Sequence, residues 1–163
     1  MQNNTIGRMK FVLIDKIVSI EADSQITAVK NLSLAEEYLA DHFPIFPVLP
    51  GVLLLEGLIE SGSWLVRKNQ DFANSMVLLK EAKNVRYKSF AAPGMQIRYS
   101  VTAKKIEQNV SSFTGEGTVD GESIVQAKFT LRHFNLAEKN PKMASVDSKV
   151  IESMKQRFEL LKR

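Results

Sequence analysis

The chain has 163 residues and a mass of 18.3 kDa, with 44% hydrophobic and 25% charged positions, a composition that suits one soluble domain with its own core. With no cysteine and two histidines it cannot build a zinc finger, an iron-sulfur site or a thiolate nucleophile. Twenty-two Lys and Arg against 18 Asp and Glu leave a net charge of +4, which suits an acidic partner or scattered solubilising charge and falls short of a dedicated nucleic-acid binder.

The first residues, Met1 to Lys10, are polar where a secretory signal would carry an apolar core. The longest apolar runs, Phe11 to Ile14 and Val52 to Leu55, are far shorter than the ~18 residues of a membrane span. No membrane span is expected, and the expected compartment is the cytoplasm. From Phe11 to Val29, β-branched residues flank a polar Glu21 to Gln25, which predicts a hairpin. In the next segment three of the five prolines, Pro44, Pro47 and Pro50, fall at a spacing of three. Each fixes its own φ and pushes the residue before it towards extended backbone, so the loop around His42 is stiff. After Pro50 comes Gly51 to Val66, apolar on nearly every side of a helical wheel. This predicts a central helix that a sheet wraps.

Met76 to Leu79 reads as a strand, Pro93-Gly94 as a turn, and Ile97 to Lys104 as a strand of strict period two. Val110 to Val119 and Ser123 to Phe134 flank Asp120-Gly121, a dipeptide suited to a tight hairpin turn. Residues 135–144 read as a polar linker. Val146 to Arg163 sets Val150, Met154, Phe158 and Leu161 on one helical stripe, predicting an amphipathic helix that packs on its own body or on a second copy. The expected division is 1–134 for the main domain and 135–163 for linker and helical extension.

Glu56 is the chemical anomaly, a carboxyl group among Leu53, Leu54, Leu55 and Ile59. Burial would favour its neutral form and make it a proton donor near neutral pH, unless it merely meets a backbone donor or a basic residue. Glu60, one turn on, opposes charging of both. Other constellations are weak: Gly115, Gly117 and Gly121 have the wrong spacing for a dinucleotide loop. Ser61 and Ser63 lack a nucleophile elbow, and His133 reads as a surface or satisfied histidine.

The string His42-Phe-Pro-Ile-Phe-Pro-Val-Leu-Pro-Gly51-Val-Leu-Leu-Leu-Glu56 resembles the motif of the 3-hydroxyacyl-acyl-carrier-protein dehydratases of fatty-acid synthesis, the FabZ type. Leu13 to Val18, Ala28 to Asn31, Arg86-Tyr87-Lys88 and Pro93-Gly94 extend the likeness over about residues 8 to 134. The resemblance implies an α+β hotdog fold, an antiparallel sheet wrapped around the 51–66 helix, and homodimers that can assemble further as a trimer of dimers. It also implies shared sites in which His42 of one copy faces Glu56 of the other beneath an acyl tunnel. In that scheme neutral His42, oriented by the Val48 carbonyl, takes the C2 proton and protonated Glu56 donates to the departing hydroxyl. The Gly51 amide, at the positive end of the helix, stabilises the thioester oxygen. No cofactor is implied, because the substrate rides on the phosphopantetheine of an acidic acyl carrier protein. Arg86 and Lys88 are candidates for docking it, while Lys104 and Lys105 read more simply as a solvated strand face.

The chain departs from the family pattern at Ile45 (Gly), Gly57 (Ala), Glu60 (Gln), and at Ser89, Phe90 and Met95; Gly7-Arg8 replaces a His-Arg pair. These changes point to a divergent member. Two other readings fit the same segments. One is a hotdog thioesterase whose helix carboxylate activates water; the other is an acyl- or carrier-protein-binding partner subunit with weakened catalysis.

Overall fold

The computed structural model describes residues 11–163; the polar leader and the Gly7-Arg8 pair lie outside them. Six strands form one antiparallel sheet in the order β1-β2-β4-β5-β6-β3, leaving β1 and β3 at the edges. The first hairpin joins β1 (Lys16–Glu21) to β2 (Gln25–Asn31). In the three-residue connection the Ser24 amide bonds back to the Glu21 carbonyl at 3.0 Å, while Ala22 and Asp23 both take positive φ, as the central pair of a type I′ turn does. The same device closes β5 (Val110–Val119) onto β6 (Glu122–Phe134), with Asp120 at φ 51° and Gly121 at φ 84°.

The central helix α1 runs Gly51–Asn69, three residues past the expected end. Arg67 and Lys68 in its last turn suit the negative end of the helix dipole. It stops in a Schellman arrangement: the Asp71 amide donates to Lys68 (3.3 Å) and the Phe72 amide to Arg67 (2.7 Å), with both residues at positive φ. Leu54, Leu58 and Leu65 press into a core with Val101, Phe113, Phe129 and Leu131 from β4 (Gln96–Ile106), β5 and β6.

The sheet does not enclose α1 as its all-round apolar wheel led us to expect. One side stays open in the single chain, where Val52 is 68% exposed and Glu56 is also exposed. Strand β3 is also longer than expected, Met76–Tyr87 rather than ending at Leu79. As an edge strand with register shifts after Leu79 and Lys83, its second half exposes Lys80, Glu81, Lys83 and Asn84 and shows little alternation in the sequence.

Gly57 explains one departure from the family pattern. A Cβ there would lie 2.3 Å from the Tyr99 ring, so the fully buried Tyr99 occupies the space an alanine methyl would need. Gly57→Ala is therefore expected to cost about 1–3 kcal/mol through overpacking, read as a lower midpoint in urea. An unchanged midpoint would mean that Tyr99 can move aside.

Residues 135–144 fold into two single-turn 3-10 segments rather than a plain linker. Helix α2 (Ala144–Leu161) follows and packs on its own body: Phe158 sits 5.9 Å from the Trp64 ring and 5.5 Å from Phe72. Its first turn is held by the buried Asp147, which accepts from Ser75 Oγ and from the Leu136 (3.0 Å) and Ala137 (2.9 Å) amides. Burial works to raise this carboxyl, but the three donors outweigh it and keep Asp147 below its ordinary range.

His133 is fully buried rather than at the surface, with Nε2 2.9 Å from Ser111 Oγ. Burial lowers its pKa, so the unfolded chain binds a proton near pH ~6.5 that the folded chain resists. Stability from this group is present above pH ~6.5 and is lost as the pH falls below it. The melting temperature should decline more steeply between pH 7 and 5 in the parent than in His133→Gln; equal slopes would assign the acid sensitivity elsewhere.

Candidate active site

Prolines and backbone bonds shape the 41–50 loop. Phe43 and Phe46 exchange amide-carbonyl bonds of 3.2 and 3.0 Å, making a tight turn with Pro44 and Ile45 at its tip. Ile45 keeps a negative φ, so the turn is not type II, and its side chain is 99% exposed. The Leu49 amide anchors the loop to the Ala91 carbonyl at 2.8 Å.

Within this loop His42 and Val48 are clamped twice. The Val48 amide donates to the His42 carbonyl at 2.9 Å, and His42 Nδ1 lies 3.0 Å from the Val48 carbonyl oxygen. A carbonyl can only accept, so Nδ1 carries the hydrogen in this contact and the neutral ring keeps its lone pair on Nε2. The half-buried ring stacks on Phe43, 4.4 Å between centroids. A base held in one tautomer and one orientation results.

Gly51 begins α1, and a Cβ on it would come within 3.2 Å of the Tyr87 ring, so glycine lets Tyr87 close over the start of the helix. The first amides of a helix have no acceptor within it and, with the dipole, favour negative charge. Tyr87 was not singled out in the sequence. The signal for it is its place in the Arg86-Tyr87-Lys88 likeness, which gives it no role of its own.

Glu56 stands on the open side of α1 and lines a groove of about 450 Å³ with Ile59, Glu60, Trp64, Leu79 and Met154. It is not engulfed as expected, because at its level the single chain leaves α1 uncovered; even so, partial burial raises its pKa. Burial raises Glu60 as well, against the Trp64 indole N–H at 3.3 Å and the charge of Arg157. His42 does not line this groove, so one chain does not bring His42 and Glu56 together in it.

The basic candidates lie elsewhere. Arg86 is exposed on the outer face of the sheet, in a polar hollow with Ser100, Thr114, Gln126 and Lys128. Lys88 is exposed too, and its charge helps hold Glu116 on that face low, after the nearby Ser123 hydroxyl and the Gln126 amide, which donates to Glu116 at 2.7 Å. Lys104 lines a second hollow on the outer face, and Lys105 pairs with Glu107 at 2.6 Å in solvent. Ser61 and Ser63 spend their hydroxyls on the Gly57 and Ile59 carbonyls, as non-catalytic helix serines do. Among the described residues no cluster of three or more His, Asp or Glu could hold a metal, and no helix is long and apolar enough to cross a membrane.

Comparison with known proteins bears on what this loop and helix are. The solved dehydratase heterocomplex ApeI:P of Xenorhabdus doucetiae superposes with a TM-score of 0.64 over 82% of this chain and 90% of that one, at 18% identity. A hypothetical thioesterase of Streptococcus pneumoniae, solved with coenzyme A, superposes at a TM-score of 0.54 over 72% of this chain and 84% of that one, at 12% identity. These likenesses establish the hotdog architecture and, since both kinds of protein share it, do not choose a reaction. Sequence is more selective. The 3-hydroxyacyl-[acyl-carrier-protein] dehydratase FabZ of Oceanobacillus iheyensis is 34% identical over 123 residues, 76% of this chain and 88% of that protein. The family model for the FabA-like domain matches residues 6–128. The chain thus belongs to the FabA-like domain family, on its FabZ-type dehydratase branch.

Proposed function

We propose that the chain dehydrates 3-hydroxyacyl groups carried on acyl carrier protein to the trans-2-enoyl thioester, in fatty-acid synthesis. His42 Nε2 takes the proton from C2, the C2–C3 π bond forms, and the C3–O bond breaks. Glu56 gives its proton to the departing hydroxyl, which leaves as water. The amides at the start of α1 bear the negative charge that builds on the thioester oxygen. The proton then passes from the imidazolium back to the Glu56 carboxylate, and no cofactor takes part.

The observation that carries this reading is the His42–Val48 clamp, which leaves the imidazole one accepting nitrogen within a stiff loop. It suits a base and has no role in a thioesterase that uses only a helix carboxylate. Two copies share each site, His42 from one and Glu56 from the other. In support, Phe43, Ile45, Phe46, Phe90 and Val52 are all more than half exposed, an apolar surface of the kind that a second copy covers. The free edge of β3 can extend the sheet into that copy. Arg86 and Lys88 supply positive charge for the acidic carrier protein.

The test is incubation of the purified chain with 3-hydroxyacyl carrier protein and mass analysis of the acyl group. Loss of 18 Da, the mass of the water eliminated here, is expected. Release of free carrier-protein thiol instead would move the chain to the thioesterases.

A further inference from the structure

The groove that holds Glu56 has a wall from outside the matched family domain. That domain ends at residue 128, whereas Met154 and Arg157 of α2 line the groove beside Glu56 and Glu60. Opposite them stand apolar side chains of α1 and β3, chiefly Ile59, Val77 and Leu79.

The groove's floor is unusual for so apolar a helix. Glu56, Glu60, Ser63 and Arg67 follow one another at spacings of four, three and four, so they form one stripe along α1, and all four line the groove. From Glu56, one turn of helix, about 6 Å, leads to Glu60. There the charge of Arg157 and the Trp64 indole meet the Glu60 carboxyl. Farther on, Arg67 is buried and spends Nη1 and Nη2 on the Asn74 and Ser75 carbonyls, at 3.0 and 3.1 Å. Along α1 the groove thus passes from Glu56 and Ile59 to Glu60, which has the charge of Arg157 beside it, and on to Arg67.

We infer that α2 and Glu60 close the acyl groove about one helical turn beyond Glu56, so that the enzyme selects short acyl chains, with Met154 and Arg157 as the specificity-determining residues. This rests on the dehydratase reading. A long alkyl tail would have to strip water from Glu60 and Arg157 and offers them no hydrogen bond, a cost that a short tail never meets. Phe158 and Leu161, buried in the core, keep the wall from swinging away.

The experiment compares kcat/KM for 3-hydroxyhexanoyl and 3-hydroxyhexadecanoyl carrier protein. The parent should favour the short substrate at least about tenfold, and Arg157→Leu and Met154→Ala should each shrink that preference by about tenfold, since each removes a barrier felt by the long chain alone. Lys155→Ala, exposed on α2, is the control and should leave the ratio as it is. If Arg157→Leu fails to fold by thermal melting, Arg157→Gln takes its place.

A parent that prefers the long substrate, or ratios unmoved in both variants, overturns the inference while leaving the dehydratase reading intact. Loss of the dimer in Arg157→Leu, read by light scattering, overturns it too, because a second copy would then fill the groove. Absence of turnover on either substrate overturns the dehydratase reading itself, and the inference with it.

Discussion

Replacing His42 by Ala is expected to lower kcat by roughly 10²- to 10⁴-fold, the range in which a positioned proton acceptor contributes. The protein should remain folded, since the ring is only half-buried and makes one side-chain hydrogen bond, to Val48. The loop keeps its other ties: the Val48 amide to the His42 carbonyl, the Phe43–Phe46 pair, and Leu49 to Ala91. A loss of this size with an unchanged melting temperature separates a chemical role from a structural one. If His42→Ala turned over at the parent rate, proton abstraction would have to be assigned to another group, and Tyr87 above Gly51 would be the next residue to test.

Glu56→Gln should be as damaging to turnover, because an amide keeps the shape but has no proton to give. Partial burial raises the Glu56 pKa, and cover by a second copy would raise it further. The neutral acid therefore persists to higher pH than in an exposed glutamate, and kcat/KM of the parent should fall on the alkaline side as the group ionises. The residual rate of Glu56→Gln should lack that limb. Because folding raises this pKa, ionisation of Glu56 opposes the folded state as pH rises, so the glutamine variant should melt no lower than the parent at pH 7. Lost activity without lost stability is the mark of a carboxyl group kept for chemistry.

The same pair of variants tests whether the site is shared. Mixing His42→Ala and Glu56→Gln chains by co-expression makes half of the dimers heterodimers if assembly is random. One of the two sites in each heterodimer then has both groups intact, and about a quarter of the parent's sites return. A site built within a single chain would return none.

Much of the fold was legible because it is written in local chemistry. Asp120-Gly121 accepts positive φ, and the alternation from Ile97 to Lys104 sorts side chains to the two faces of a strand; both became elements with those bounds or a few residues more. The second half of β3 was not legible, since an edge strand with two register shifts has no single buried face to pattern. The His42–Val48 clamp came from family resemblance rather than from spacing, and its 3.0 Å contact depends on a loop whose course no periodicity reveals. Arg86 and Lys88 could be read as cations, but their place on the outer face of the sheet could not.

The sequence by itself determined the family, the turns, the stiff loop and the lone carboxyl on an apolar helix, because each depends on residues within a few positions of one another. Only the tertiary structure decided which side of α1 stays open, that Tyr99 fills the space beside Gly57, and that α2 lends Met154 and Arg157 to the groove of Glu56. These rest on contacts between residues some 40 to 100 positions apart, whose meeting is set by how the layers pack and leaves no mark on either segment alone.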